Sequence, residues 1–194
     1  MPRAGLSRDL VIADAARLLD ELGPNGLTLA AVADSLGVRI PSLYKHVDGM
    51  PALQRGITVA AKGDFADALS SVAVGKSRED AMTAIAYAYR DWALAHPGQY
   101  PLVVRAPVAG DAADEAVSAA LVALVFTVLA GYELRADDAV DATRFARAAL
   151  HGFVSLETSS GYEMPVDVAR SFDRTVESII AALEGWSREA TKHK

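Results

Sequence analysis

From Ser7 to Arg188 the chain repeats its apolar residues every three or four positions, and no stretch alternates apolar with polar residues. A period near 3.6 buries one side of a helix, whereas a half-buried strand needs a period of two. The chain is thereby restricted to helix-on-helix packing. Hydrophobic residues make up 52% of the sequence but aromatics only 7%. Much of the apolar content is alanine, the strongest helix former. The 194 residues are enough to bury a sizeable core. An all-α fold of about nine helices is expected, four compact ones in front and five longer ones behind.

Punctuation along the chain sets the boundaries. Ser7 is a suitable N-cap for a first helix that runs to Leu22, packs through Val11, Ala15, Leu18 and Leu22, and stops at Gly23-Pro24. Thr28 caps a second helix that buries Leu29, Val32, Ala33 and Leu36 and ends at Gly37. A short third helix closes at Asp48-Gly49, and a fourth runs from about Met50 to Val72. The expected division is residues 1–48 as a front domain, 49–73 as a connecting helix and 74–194 as a helical body. Within the body, Ala116 to Tyr132 is uncharged. A membrane span needs about 20 apolar residues with basic flanks. This run is shorter and bracketed by Asp114, Glu115 and Glu133, so a buried helix and no membrane partner are expected.

The third helix is the odd one. In "LGVRIPSLYKHVDG", Leu36 to Gly49, only Val38, Leu43 and Val47 can hold a helix down. At 100° per residue, Leu43 and Val47 define the packed side. Lys45 then points nearly opposite, with Pro41 and Ser42 beside it and Tyr44 and His46 flanking; Arg39 sits at the turn. Pro41 falls in the first turn, where its missing N–H costs little. Ala33 offers the small side chain that a close helix crossing needs, and Gly37 allows a sharp turn. Two helices joined in this way, the second presented to solvent, form a helix-turn-helix. The strip of cations, hydroxyls and imidazole on its free side has the chemistry to read a DNA major groove. The bland alternative is a solvated helix with a few charges.

Charge and composition narrow the classes of function. The formal net charge is −6, which excludes a protein that coats nucleic acid indiscriminately. Up to Gly63 there are seven Lys/Arg against six Asp/Glu, leaving twelve against nineteen beyond it. An anionic partner is therefore expected only at the front. The absence of cysteine removes disulfides and thiolate metal sites and fits a reducing, cytoplasmic setting; no targeting segment is expected. His46, His96, His151 and His193 show no His-x-x-x-His or Glu-x-x-His spacing, and there is no nucleophile elbow or phosphate-binding loop. No catalytic residue, metal or cofactor is expected. A helical-bundle enzyme and a helical interaction module without DNA binding stand as the competing readings.

"GLTLAAVADSLGVRIPSLYKHVDGMPAL" resembles the DNA-binding region of the tetracycline repressor family, over about Leu6 to Ile57. The resemblance implies that Thr28 contacts phosphate and that Arg39, Pro41, Ser42, Tyr44, Lys45 and His46 contact groove and phosphate. The chain departs from the family pattern at Ala30 and Ala31, where a polar or basic residue is common. Met50 stands where a lysine often grips phosphate. More of the affinity then falls to Arg39, Lys45, Arg3 and Arg8. "LHGFVSLETSSGY" and "WALAHPGQYPLV" resemble the WHG-type C-terminal subgroup, with Leu150 at its tryptophan position.

The resemblance also implies a ligand-responsive repressor that binds palindromic double-stranded DNA as a homodimer. Val168, Phe172, Val176, Ile179 and Leu183 form a coiled-coil-like stripe, and Phe145, Ala149, Gly152, Phe153 and Leu156 a second one with small residues. Both stripes are candidates for pairing. A cavity for a small, largely apolar effector is implied in the body, with Trp92, His96, Tyr100, Val103, Leu121, Phe126, Phe145 and His151 as its candidate lining.

Overall fold

The computed structural model describes residues 5–192, with side chains described to Arg188; Arg3 and His193 lie outside the described residues. Among the described residues the chain forms nine helices and no strand. These are α1 (Arg8–Gly26), α2 (Leu29–Leu36), α3 (Ile40–Leu43), α4 (Gly49–Ala73), α5 (Arg78–Ala95), α6 (Tyr100–Val103), α7 (Ala112–Ala130), α8 (Ala136–Thr158) and α9 (Val168–Lys192). The helix starts follow from capping chemistry. Ser7 Oγ accepts from the Leu10 amide at 3.2 Å, and Thr28 Oγ1 from the Ala31 amide at 3.1 Å. Gly23 breaks the helical backbone of α1 with φ 69°, after which Pro24 opens one further turn to Gly26. That break turns the chain away, and Leu22, expected on the packed face, is 50% exposed.

Compactness divides the chain out of sequence order. One unit comprises residues 1–64 with 96–118, the other residues 65–95 with 119–194. This division falls inside α4 and inside α7. The first unit holds a core of Val11, Ala15, Leu18, Leu19, Val32, Leu43, Val47, Leu53 and Ile57, with Leu102 packed against it. It also contains a buried ion pair: Lys62 Nζ donates to Asp114 Oδ1 at 2.5 Å and to Ser118 Oγ at 3.1 Å. The two charged side chains are only 1% and 4% exposed. Asp114 Oδ2 accepts from the Val108 amide at 2.9 Å. Burial pushes the Asp114 carboxyl up, but the hydrogen bonds from Lys62 and Val108 and the Lys62 charge outweigh it and hold the carboxyl below its usual range. Nearby, Arg55 grips Asp111 with Nε and Nη2 at 2.5 and 2.6 Å.

The second unit is built by α5, α8 and α9, which pack on one another. Its centre is Phe172, fully buried, with Tyr87 at 5.5 Å and Phe153 at 5.2 Å between ring centroids and the Arg90 guanidinium over its face at 5.1 Å. Arg90 in turn holds Glu157 through two hydrogen bonds of 2.8 and 2.6 Å.

Two expectations are corrected here. Phe172, Val176, Ile179 and Leu183 are 3% exposed or less within the single chain, so they form its core and are not available to a partner. The 3.5-residue stripe is spent inside, on α5 and α8, because period reports that a face packs and not against what. The apolar α7 is the converse. It is long and apolar enough, by length and composition, to cross a membrane, yet only 17% of its most apolar window is buried. Val122 and Phe126 are 46% and 38% exposed. Hydropathy measures what a helix could bury, and the only residues of that helix fully inside are Asp114, Val128 and Leu129.

The buried pair has a measurable signature. Asp114→Ala strands the Lys62 charge and is expected to cost about 3–5 kcal/mol, whereas replacing both residues by apolar ones of similar volume is expected to be close to neutral; chemical denaturation of the three proteins distinguishes the outcomes. Because the folded carboxyl titrates below its unfolded value of about 3.9, its stabilisation is complete above that pH. It fades as the pH falls through the lower, folded value. Asp114→Asn is accordingly expected to flatten the acid limb of stability against pH.

Candidate nucleic-acid interface

The candidate surface starts from a turn that only a left-handed backbone can make. Gly37 closes α2 with φ 65° and ψ 34°. The Val38 amide donates to the Ala33 carbonyl at 2.9 Å and the Gly37 amide to Asp34 at 3.1 Å, the paired bonds of a Schellman stop. The chain leaves this turn extended at Arg39, the N-cap residue of α3, whose side chain makes no capping bond. Ile40 and Pro41 then begin the helix. Its α-helical part is four residues long, and turns through Tyr44, Lys45 and His46 prolong it, with the His46 and Val47 amides donating to the Leu43 carbonyl at 2.8 and 3.0 Å.

Leu43 is fully buried and Val47 4% exposed, and these two side chains hold the segment on the core of α1 and α2. The side opposite is bare. Thr28, Arg39, Pro41, Tyr44 and Lys45 are exposed, Tyr44 to 55%, and Ser42 and His46 are half-buried. The six side chains expected on the strip, and Thr28 at the start of α2, therefore all reach the surface. Thr28 carries a second duty, since its oxygen caps α2. Its hydroxyl proton stays available to an acceptor such as phosphate.

Sequence reasoning missed the brace behind this surface. Arg17 on α1 donates to Asp14 and Glu21 on its own helix and, at 2.8 Å, to Ser35 Oγ on α2; Ser35 Oγ donates to Asp14 Oδ1 at 3.0 Å. The i, i+3 and i, i+4 spacings on α1 are visible in sequence, but the partner on α2 is not.

The eight candidate effector-lining residues are divided between the two units. His96, Tyr100 and Val103 lie in the first, and Trp92, Leu121, Phe126, Phe145 and His151 in the second. Trp92 is 6% exposed, in an aromatic cluster with Phe65, whose ring is 4.9 Å away. Phe145 is 38% exposed and stands 5.6 Å from the Trp186 ring. His96 Nδ1 lies 3.1 Å from Asp20 Oδ2. Of the candidate pairing residues, Gly152 and Leu156 are exposed, the latter to 49%, with Ala149, Phe153 and Val168 half-buried.

Known proteins share this organisation. Residues 82–179 match the family described as "Tetracyclin repressor-like, C-terminal domain". The HTH-type transcriptional regulator Rv0681 of Mycobacterium tuberculosis is 36% identical over 93% of this chain and 83% of its own length. The HTH-type transcriptional regulator YobS of Bacillus subtilis is 32% identical over 94% and 95%. A variant of TetR from Acinetobacter baumannii AYE, solved in complex with minocycline, superposes with a TM-score of 0.70 at 21% identity, covering 94% of this chain and 99% of that one. These relatives are regulators and not enzymes, and they span both the front helices and the body. The chain belongs to the tetracycline repressor family of helix-turn-helix transcriptional regulators.

Proposed function

We propose that this regulator is a repressor that binds a palindromic operator as a homodimer and is released by a small, largely apolar effector. The observation that carries the reading is the bare strip on and around α3. It places Arg39 and Lys45, the hydroxyls of Ser42 and Tyr44, and His46 around one short segment whose other side is buried. Arg39 and Lys45 supply donors for guanine edges and phosphates, Ser42 and Tyr44 bond phosphate oxygens, and Pro41 offers carbon to a thymine methyl. Thr28 bonds phosphate from the start of α2. Residues 1–48 act as the reader, 49–73 as the connection and 74–194 as the ligand-binding and pairing body.

One reader touches too few base pairs for useful selectivity, so two are needed, about 34–36 Å apart or a multiple of that. Pairing is assigned to the exposed side of α8, where Ala149, Gly152 and Leu156 offer a small, apolar face. The minocycline complex of the A. baumannii protein supports a small-molecule effector for this fold. Effector binding favours a spacing of the readers that the operator does not match, and DNA is released by that difference in affinity. The apolar α7 is read as a helix of the folded protein and not of a membrane, since its start is held by the Lys62–Asp114 pair.

Footprinting of the DNA upstream of the chain's own gene, with and without candidate effectors, tests this reading. On the footprinted duplex, Lys45→Ala is expected to weaken binding by about 1–3 kcal/mol and to relax preference at the base it reads. Unchanged affinity and preference would remove the strip from the interface. Leu156→Arg is expected to shift the protein from dimer to monomer in sedimentation, with its helix content kept; a dimer that persists would move the pairing face elsewhere.

A further inference from the structure

Resting on that reading, we propose that Asp20 and Gly98 fasten the reader to the segment His96–Ser118, and that this fastening sets the half-site spacing the protein accepts. Asp20 lies on α1, away from the strip, and its carboxylate is the centre of four contacts. Oδ1 accepts from the Gly98 amide at 2.9 Å and the Gln99 amide at 3.0 Å. Oδ2 accepts from Gln99 Nε2 at 2.6 Å and faces His96 Nδ1 at 3.1 Å. A surface carboxylate on a helix needs none of these partners. Here one side chain gathers the polar groups of a whole loop.

The backbone adds a second, independent contact. A Cβ built on Gly98 would stand 2.1 Å from the Leu19 carbonyl oxygen and 2.9 Å from Asp20 Cα. Those are main-chain atoms, which cannot swing aside, so the loop rests directly on α1 and only glycine fits. Leu102, a few residues on, packs on the same core as Leu43 and Val47. At its other end the segment is bound to α4 by Arg55–Asp111 and Lys62–Asp114.

Connectivity turns this into a constraint on spacing. The chain passes between the two compact units at three places: within α4 after Asp64, between Ala95 and His96, and within α7 after Ser118. With the loop fastened to α1, all three passages leave from one stiff body that includes the reader. Without the fastening, α1 to α3 are carried by α4 alone and can swivel about it. A reader on one stalk tolerates operators of several lengths, whereas one held at three points does not.

The experiment uses the full-length protein and four duplexes. These carry the footprinted palindrome as found, the palindrome with one or with two base pairs added at its centre, and a single half-site. The wild type is expected to lose about tenfold or more in affinity per added base pair, because each turns one half-site by about 35° relative to the other. Asp20→Ala is expected to bind the single half-site within about twofold of the wild type while losing less than about threefold per added base pair. Asp20→Asn, which keeps one side-chain oxygen to accept from the Gly98 and Gln99 amides but loses the charge and the second acceptor, is expected to fall between the two. Gly98→Ala is expected to reproduce Asp20→Ala with every charge in place.

A folded Asp20→Ala that keeps the wild-type spacing penalty overturns the inference and leaves the DNA-binding reading standing. So does a loss of affinity that is equal on all four duplexes, which marks a purely structural role. Should Asp20→Ala fail to fold, the same criteria apply to Asp20→Asn. A wild type that binds none of the duplexes overturns the reading and the inference together.

Discussion

A helix of four residues cannot stand by itself, because nucleation fixes several backbone angles for a single hydrogen bond. The existence of α3 therefore depends on the burial of Leu43 and Val47 against the core made by α1 and α2. Those two side chains, fully buried and 4% exposed, are the deepest apolar anchors of the segment, with Val38 packed partly buried against the same core. Every other feature of the reader serves to bring them to that core at the right angle. Gly37 makes the turn, the Ala33–Val38 hydrogen bond closes it, and the Arg17–Ser35–Asp14 brace keeps α2 from sliding on α1. The free side is available for base edges because the anchorage asks for so few residues.

The body follows a different logic. Its three packed helices share one aromatic centre at Phe172, ringed by Tyr87, Phe153 and the Arg90 guanidinium. A cation held over an aromatic face and fixed by Glu157 packs like a flat apolar group while keeping its charge satisfied. This arrangement uses the longest apolar stripe of α9 within the chain. What remains outward on α8 mixes the small Gly152 with the larger Phe145 and Leu156, and it is this surface that the proposed pairing uses.

Much of this was legible in the sequence where the signal is local. Caps at Ser7 and Thr28, the Gly37 stop, the early Pro41 and the paired Leu43 and Val47 each act within one turn of helix, and the structure repeats them. The bare strip was legible for the same reason: a helical wheel needs only neighbours. The stripe of Phe172, Val176, Ile179 and Leu183 was visible as a packing face, but its partner was not, since the same period serves a fold or a dimer. Asp20 and Gly98 gave no signal at all. Their meaning arises from residues 76 to 79 positions apart, and a single sequence carries no record of such a meeting. The exposed state of α7 was hidden likewise, because hydropathy names an appetite for burial and not its satisfaction.

Electrostatics explains why positioning matters so much in this molecule. The chain carries 19 basic and 25 acidic residues, and Met50 stands where a further cation would strengthen the hold on phosphate. Few cations mean few displaced counterions, and hence a small sequence-independent contribution to affinity. At physiological ionic strength the distant acidic charges are screened within about 8 Å, so they do little to repel DNA and nothing to orient it. On the proposed reading, selectivity then comes from base edges met in the right register by both readers of a dimer at once. A protein that grips phosphate weakly has little to compensate for a misplaced reader. Under the proposed fastening, the reader is fixed by the Asp20 carboxylate and the close backbone approach at Gly98, groups outside the strip, and that is the physical answer available to such a chain.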